Sequence, residues 1–201
     1  MYQAPEVLNK EAHGKLTYTA QNKYGFARSQ TTAPLLSEEI AEAGAYYPIV
    51  FATDGSSRPL ALLGLTEQNL YLDADNRWTA AYIPAFIRRY PFVFGQGTDN
   101  TDKLYLAIDI TAPHFAGQGE ALFTPEGEPA AVATSAMSFL TNYQTSSLRT
   151  EAAHKPLLDA GVIVAKNLTQ QMGDQTHLIG GFSVVEQDKL NALPDETLAQ
   201  W

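Results

Sequence analysis

Residues 78–94 organise the sequence, and they read Trp78-Thr79-Ala80-Ala81-Tyr82-Ile83-Pro84-Ala85-Phe86-Ile87-Arg88-Arg89-Tyr90-Pro91-Phe92-Val93-Phe94. Pro84 suits the first turn of a helix, where its missing N–H costs nothing. Pro91 ends the helix, because the residue before a proline is pushed out of the α region. Apolar side chains recur between the prolines at helical spacing. We therefore predict a helix over 80–90 that packs in the core and leads into a strand at 92–95.

The adjacent arginines of this stretch have two interpretations. Helical spacing places Arg89 at the edge of the apolar face and Arg88 nearly opposite its centre. Together with Trp78 and Tyr82 they could bind an anion or an aromatic ring, since guanidinium groups suit carboxylates and phosphates. The structural interpretation, which we favour, is that they cover aromatic faces and pair with acids. A buried Arg89 is then expected to meet a carboxylate or several backbone carbonyls.

Apolar runs separated by short polar turns flank this segment on both sides. The runs are 48–53, 58–65, 69–73, 92–95, 103–110, 162–168 and 177–186. The first three indicate an antiparallel meander, and the last four indicate two further hairpins.

Helical patterns and an N-terminal arm complete the predicted fold. The helical segments are 37–47, 80–90, 130–160, 188–192 and 194–201. Residues 1–33 are polar and mixed, so we expect an extended arm that docks on the body. The prediction is one α+β domain over 1–201, with the helices packed on a mostly antiparallel, curved sheet.

A long motif links the sequence to a known family. The pattern W-x-x-x-Y-I-P-x-F-I-R-R-Y-P-F at 78–92 resembles the signature of the bacterial SapC-like family. Segments 46–51, 60–65, 181–185 and 189–196 are also similar to the family pattern. The resemblance implies a binding or assembly protein related to a surface-layer protein. Family members usually continue past the position of Trp201, so we expect the last helix to be cut short.

Composition argues against several classes of function. The 201 residues carry a formal net charge of -9, which disfavours nucleic acid and anionic membranes as partners. The chain contains no cysteine, so it has neither a disulfide framework nor thiolate chemistry. No apolar run approaches the roughly 20 residues of a transmembrane segment, and no secretory signal is visible. We expect a cytoplasmic protein, with export to the surface by another route left open.

Sequence motifs for chemistry are absent. The sequence has no GxSxG elbow, HExxH pair, Walker loop or CxxC. Asp109, His114 and Glu120 are close enough in sequence to form a metal or acid–base cluster, but their irregular surroundings favour a surface loop. We therefore predict no catalytic residue, no metal and no cofactor, and we favour a non-enzyme without excluding an enzyme.

Two functions are consistent with these observations. The first is a non-enzymatic binding or assembly protein of the SapC-like type, whose partner is another protein or a second copy of the chain. The second is a small-ligand-binding protein or an enzyme. Its pocket would lie where Trp78, Tyr82, Arg88 and Arg89 approach the sheet.

Overall fold

The structure is a computed structural model, and it describes residues 1–96, 103–172 and 175–199. The strands are β1 Pro5–Val7, β2 Thr17–Tyr18, β3 Thr32–Pro34, β4 Ile49–Phe51, β5 Pro59–Leu62, β6 Phe92–Gln96, β7 Leu104–Asp109, β8 Glu120–Ala121, β9 Ile163–Met172 and β10 Gln175–Val185. The helices are α1 Lys10–His13, α2 Ile40–Ala43, α3 Ala85–Arg88, α4 Ala131–Asp159, α5 Gln187–Asn191 and α6 Asp195–Leu198. The chain has the predicted α+β fold.

The described strands pair in antiparallel fashion, as predicted, but they form three sheets instead of one. The strand orders are β1-β7-β6, β3-β5-β4-β10-β9 and β2-β8. The hairpins β4–β5, β6–β7 and β9–β10 lie where the apolar runs predict them.

The prediction of a third strand in the meander is wrong. Residues 69–73, all of them described, form no strand, and their one ladder contact is the bridge between Leu72 and Trp78. The reason is a tight turn: the Asp73 carboxylate accepts a hydrogen bond from the Arg77 N–H at 2.8 Å, and Asn76 takes a φ of 64°. Strand β5 pairs with β3 instead.

The chain divides into two compact units. Unit 1 comprises Met1–Ser29, Tyr71–Thr79 and Ala85–Thr145, and unit 2 comprises Gln30–Leu70, Ala80–Pro84 and Ser146–Trp201. Within unit 1 the first strand of the predicted arm, β1, pairs with β7. The single domain that we expect from the sequence stays a prediction.

The core of unit 1 is built largely from β6, β7, α4 and the segment between β7 and α4. Its buried residues are Tyr90, Phe92, Leu106, Ile108, Ala112, Phe115, Leu122, Ala133 and Leu140. The N-terminal segment packs against this cluster, and the Phe26 ring stacks on Tyr90 at 3.9 Å. Burial of large rings stabilises a fold strongly for each residue, so residues 1–29 are part of the unit's packing.

The helix predicted over 80–90 is shorter in the structure. Helix α3 starts directly after Pro84 and ends at Arg88, and the Tyr90–Pro91 peptide bond is cis. Residues 80–83 are irregular because Tyr82 is tied to other parts of unit 2. Its hydroxyl donates to Glu39, and its carbonyl accepts from the Tyr47 hydroxyl.

Helix α4 confirms the prediction over 130–160. It runs for 29 residues and includes Pro156. Its residues up to Thr145 belong to unit 1, and its remaining residues belong to unit 2. Gly161 follows its end with a φ of 66° and donates its N–H to the Leu158 carbonyl at 3.0 Å. This is the left-handed glycine that commonly ends a helix.

Gly161→Ala is expected to lower the free energy of unfolding by about 1 kcal/mol, because a Cβ disfavours the left-handed conformation. An added Cβ meets nothing within 4 Å, so the cost is conformational and not a clash. Urea denaturation measures it. The control is Gly117→Ala, whose φ is not in the left-handed region and whose nearest neighbour lies at 4.0 Å. Equal stabilities of the two variants would contradict the assignment.

Candidate functional site

A cavity of about 420 Å³ lies in unit 1 beside the two arginines. Helix α3 contributes Arg88 and Arg89, and the remaining lining residues are Tyr18, Phe92, Glu120, Ala131, Val132, Ser135, Ala136, Phe139 and Leu140. Most of this lining is apolar, and the volume is within the range of about 300–1,000 Å³ that small-molecule sites have.

Helical and strand periodicity explain why these side chains share one cavity. Val132, Ala136 and Phe139 recur at helical spacing on the first turns of α4. Across the small sheet, Tyr18 of β2 lies directly opposite Glu120 of β8. Directly opposed residues of an antiparallel pair project from the same face, so both side chains reach the cavity.

Arg89 is half-buried and is surrounded by aromatic rings. Its Cζ lies 4.4 Å from the centre of the Phe86 ring, 5.2 Å from Tyr143 and 5.8 Å from Tyr2. Its Nε is buried and has no hydrogen-bond partner among the described residues. A buried donor without an acceptor costs free energy, so the described residues leave the hydrogen-bonding capacity of this guanidinium partly unused.

From the sequence we predict that Arg89 meets either a carboxylate or several backbone carbonyls, and the carboxylate alternative is wrong. In the part of the chain that the structure describes, no acid forms an ion pair with it, and aromatic rings surround its guanidinium instead. The predicted difference in burial is confirmed: Arg88 is exposed and Arg89 is not. Arg88 lies 5.7 Å from the Phe139 ring centre.

Tyr2 does not neutralise the guanidinium. Burial raises the pKa of Tyr2 to about 12, although the neighbouring Arg89 lowers it. The phenol is therefore protonated and uncharged at neutral pH, so it does not offset the charge of the guanidinium.

Only part of the predicted site comes together. Arg88 and Arg89 line the cavity, whereas neither Trp78 nor Tyr82 is among the described residues that do so. The Trp78 ring stands edge-on to Tyr24 at 5.7 Å, and Tyr82 bonds to Glu39 in unit 2. Tyr18, Glu120 and the wall from α4 are lining residues that were not predicted from the sequence. The helical spacing of Val132, Ala136 and Phe139 was the available signal.

Asp109, His114 and Glu120 do not form a common site. The described ranges contain no group of three acidic, histidine or cysteine side chains that could hold a metal. Glu120 is exposed on β8, while Asp109 and His114 are both buried, so the predicted surface loop is wrong at His114. The reason is aromatic packing: the His114 ring stacks on Tyr18 at 5.7 Å and contacts Tyr90 at 5.4 Å.

Arg89→Ala is expected to lower the free energy of unfolding by about 1–3 kcal/mol, because the stem and guanidinium lose their ring contacts. Arg88→Ala should cost less than about 1 kcal/mol, because Arg88 is exposed. Chemical denaturation compares the two with the control Arg77→Ala, an exposed residue of unit 1 outside the cavity. An Arg88→Ala cost equal to that of Arg89→Ala would contradict the assigned contacts.

The fold and cavity define an α+β protein with an apolar, arginine-lined cavity of small-molecule size. The chain belongs to the SapC family: the family model named SapC matches residues 8–201, which confirms the resemblance seen in the sequence. No curated protein and no solved structure matches the chain. None of the described helices is both long enough and apolar enough to cross a membrane.

Proposed function

We propose that the protein binds a small organic anion with an apolar body in the cavity of unit 1. The observation that carries this proposal is Arg89, a charged group at the wall of an apolar cavity with a buried Nε that no described residue satisfies. Binding without chemistry is the simplest activity for such a site, because no described residue activates the Ser135 hydroxyl of the lining through a hydrogen bond.

The apolar part of the ligand is matched by the walls of the cavity. Phe92, Val132, Phe139 and Leu140 offer aromatic and aliphatic surface. Each Å² of apolar surface removed from water contributes about 25 cal/mol. A cavity of about 420 Å³ has room for a ligand the size of one aromatic ring with a short chain, and burial of that ring would stabilise the complex.

The anionic part of the ligand is matched by the charges of the lining. The lining holds two arginines and one carboxylate, Glu120, so its net charge is positive in a chain whose formal net charge is -9. The local sign is opposite to that of the whole protein. Guanidinium groups bind carboxylates through charge-assisted hydrogen bonds, which are stronger than neutral ones.

The test is a calorimetric titration with 3-phenylpropionate, a carboxylate with one ring. We expect saturable one-to-one binding by the parent. Arg89→Gln should weaken it by at least about tenfold, since a hydrogen bond to a charged group contributes about 1.5–3 kcal/mol. The matched control is Arg77→Gln, which leaves the cavity unchanged. Undiminished binding by Arg89→Gln, or no saturable binding by the parent, would contradict the proposal.

The assembly role that the sequence suggests stays a prediction, as does the relation to surface-layer proteins. Light scattering during size-exclusion chromatography at several protein concentrations tests self-association. A monomer at every concentration, together with no partner in a pull-down, would count against the assembly role. Neither result bears on the small-molecule cavity.

A further inference from the structure

We infer that the ligand of this cavity is a zwitterion, a molecule of the amino-acid type with an apolar side chain, whose carboxylate binds Arg89 and whose ammonium binds Glu120. This inference rests on the proposed function and adds the chemical class of the ligand. It also assigns a role to a side chain that the proposed function leaves unexplained, because a carboxylate is unfavourable in a site meant only for anions.

Glu120 and Arg89 line the same cavity but do not neutralise each other. In the described part of the chain, Glu120 forms no ion pair with Arg89. A cavity of about 420 Å³ therefore presents a positive and a negative group separately. A ligand with one charge leaves one of these groups without a partner, whereas a zwitterion complements both.

The backbone fixes where the negative group lies. Glu120 is directly opposite Tyr18 in the β2–β8 pair, so the carboxylate and the phenol ring lie side by side on one face. The pKa of Tyr18 is raised by burial and, to a smaller extent, by the charge of Glu120, which agrees with this proximity. An ammonium bound there is attracted by the carboxylate.

The remaining walls select the side chain of the ligand. Val132, Phe139 and Phe92 form apolar surface in the same cavity. An amino acid with an aromatic or large aliphatic side chain would bury that side chain here, while a polar one would lose hydrogen bonds to water without replacement. The inferred class is thus apolar amino acids and their close analogues.

Three probes, each with one phenyl ring, separate the contributions of the ligand's positive and negative charges. L-Phenylalanine carries both charges, 3-phenylpropionate only the negative one and 2-phenylethylamine only the positive one. We expect the parent to bind L-phenylalanine about two- to fivefold more tightly than 3-phenylpropionate, the range that one exposed ion pair gives. Glu120→Gln should abolish this preference and leave binding of 3-phenylpropionate equal or tighter. The control Glu128→Gln, an exposed residue outside the lining, should keep the preference.

The possible results distinguish this inference from the proposed function. If 3-phenylpropionate binds and L-phenylalanine binds no more tightly, the inference of a zwitterionic ligand is wrong, while the proposed binding of an anion is supported. If Glu120→Gln keeps the full preference, Glu120 does not bind the ammonium and the inference is overturned. If neither L-phenylalanine nor 3-phenylpropionate binds, or if only 2-phenylethylamine binds, both the inference and the proposed function are wrong.

Discussion

Asp109→Ala is expected to lower the free energy of unfolding by about 3–5 kcal/mol, because it leaves the buried Tyr90 hydroxyl and several partly buried donors without an acceptor. The Asp109 side chain is fully buried. Its carboxylate accepts hydrogen bonds from the Gln3 N–H at 2.9 Å, the Thr111 hydroxyl at 2.7 Å and the Tyr90 hydroxyl at 3.2 Å. It also accepts from the Ala4 N–H at 3.2 Å. The carboxylate therefore joins the start of the chain to the end of β7.

Urea denaturation of Asp109→Ala measures this effect, and Asp75→Ala, an exposed acid of unit 1, is the control. Hydrogen exchange adds a local readout, because release of Gln3 and Ala4 should speed exchange in β1, where Pro5 pairs with Asp109. If Asp109→Ala unfolds at the same urea concentration as Asp75→Ala, the carboxylate does not fasten the N-terminal strand.

The second large effect is a loss of stability in acid that depends on His114. Burial lowers the pKa of His114 from 6.5 to about 4, and its Nδ1 has no hydrogen-bond partner among the described residues. Between these two values the unfolded chain binds the proton and the folded chain does not, so stability falls as the pH falls. The shift corresponds to about 3 kcal/mol, present in full above pH 6.5 and lost by about pH 4.

The measurement is the free energy of unfolding as a function of pH for the parent and for His114→Leu. The variant cannot bind the proton, so its profile should be flatter between pH 6.5 and 4 and parallel to that of the parent above pH 6.5. A parent profile that is flat in this window, or a variant with the same slope as the parent, would contradict the buried neutral ring.

Asp109 adds a second loss at lower pH. Burial alone would raise the pKa of Asp109, but hydrogen bonds from Gln3, Thr111 and Ala4 outweigh it and hold the pKa below its usual value of 3.8. A depressed pKa stabilises the fold above the unfolded value and loses that contribution as the pH falls through the folded value. The His114→Leu variant should therefore still lose stability below about pH 3.8.

Local patterns were sufficient where an element depends on its own residues. Helix α4 and the hairpins β4–β5, β6–β7 and β9–β10 follow from helical spacing and from polar turns between apolar runs. The helix predicted over 80–90 is too long at its start, because Tyr82 donates a hydrogen bond to Glu39, which is distant in the sequence. No local pattern encodes such a contact.

The site was predicted only in part, for a similar reason. The pair Arg88–Arg89 was a candidate anion site from its residue types, although its sequence context favoured a structural role. Glu120 reaches the same cavity through the β2–β8 pair, whose strands have two residues each. His114 is buried by rings from separate parts of unit 1, which sequence spacing cannot show.

The most direct test of the central claim is an NMR titration that follows the Nε–H signals of the arginines while 3-phenylpropionate is added. The Arg89 Nε–H has no described acceptor in the free protein, so binding of a carboxylate should shift its signal saturably. The signal of Arg77, outside the cavity, should stay in place. A saturable shift at Arg77 with none at Arg89, or no saturable shift at either, would contradict an anion site at Arg89.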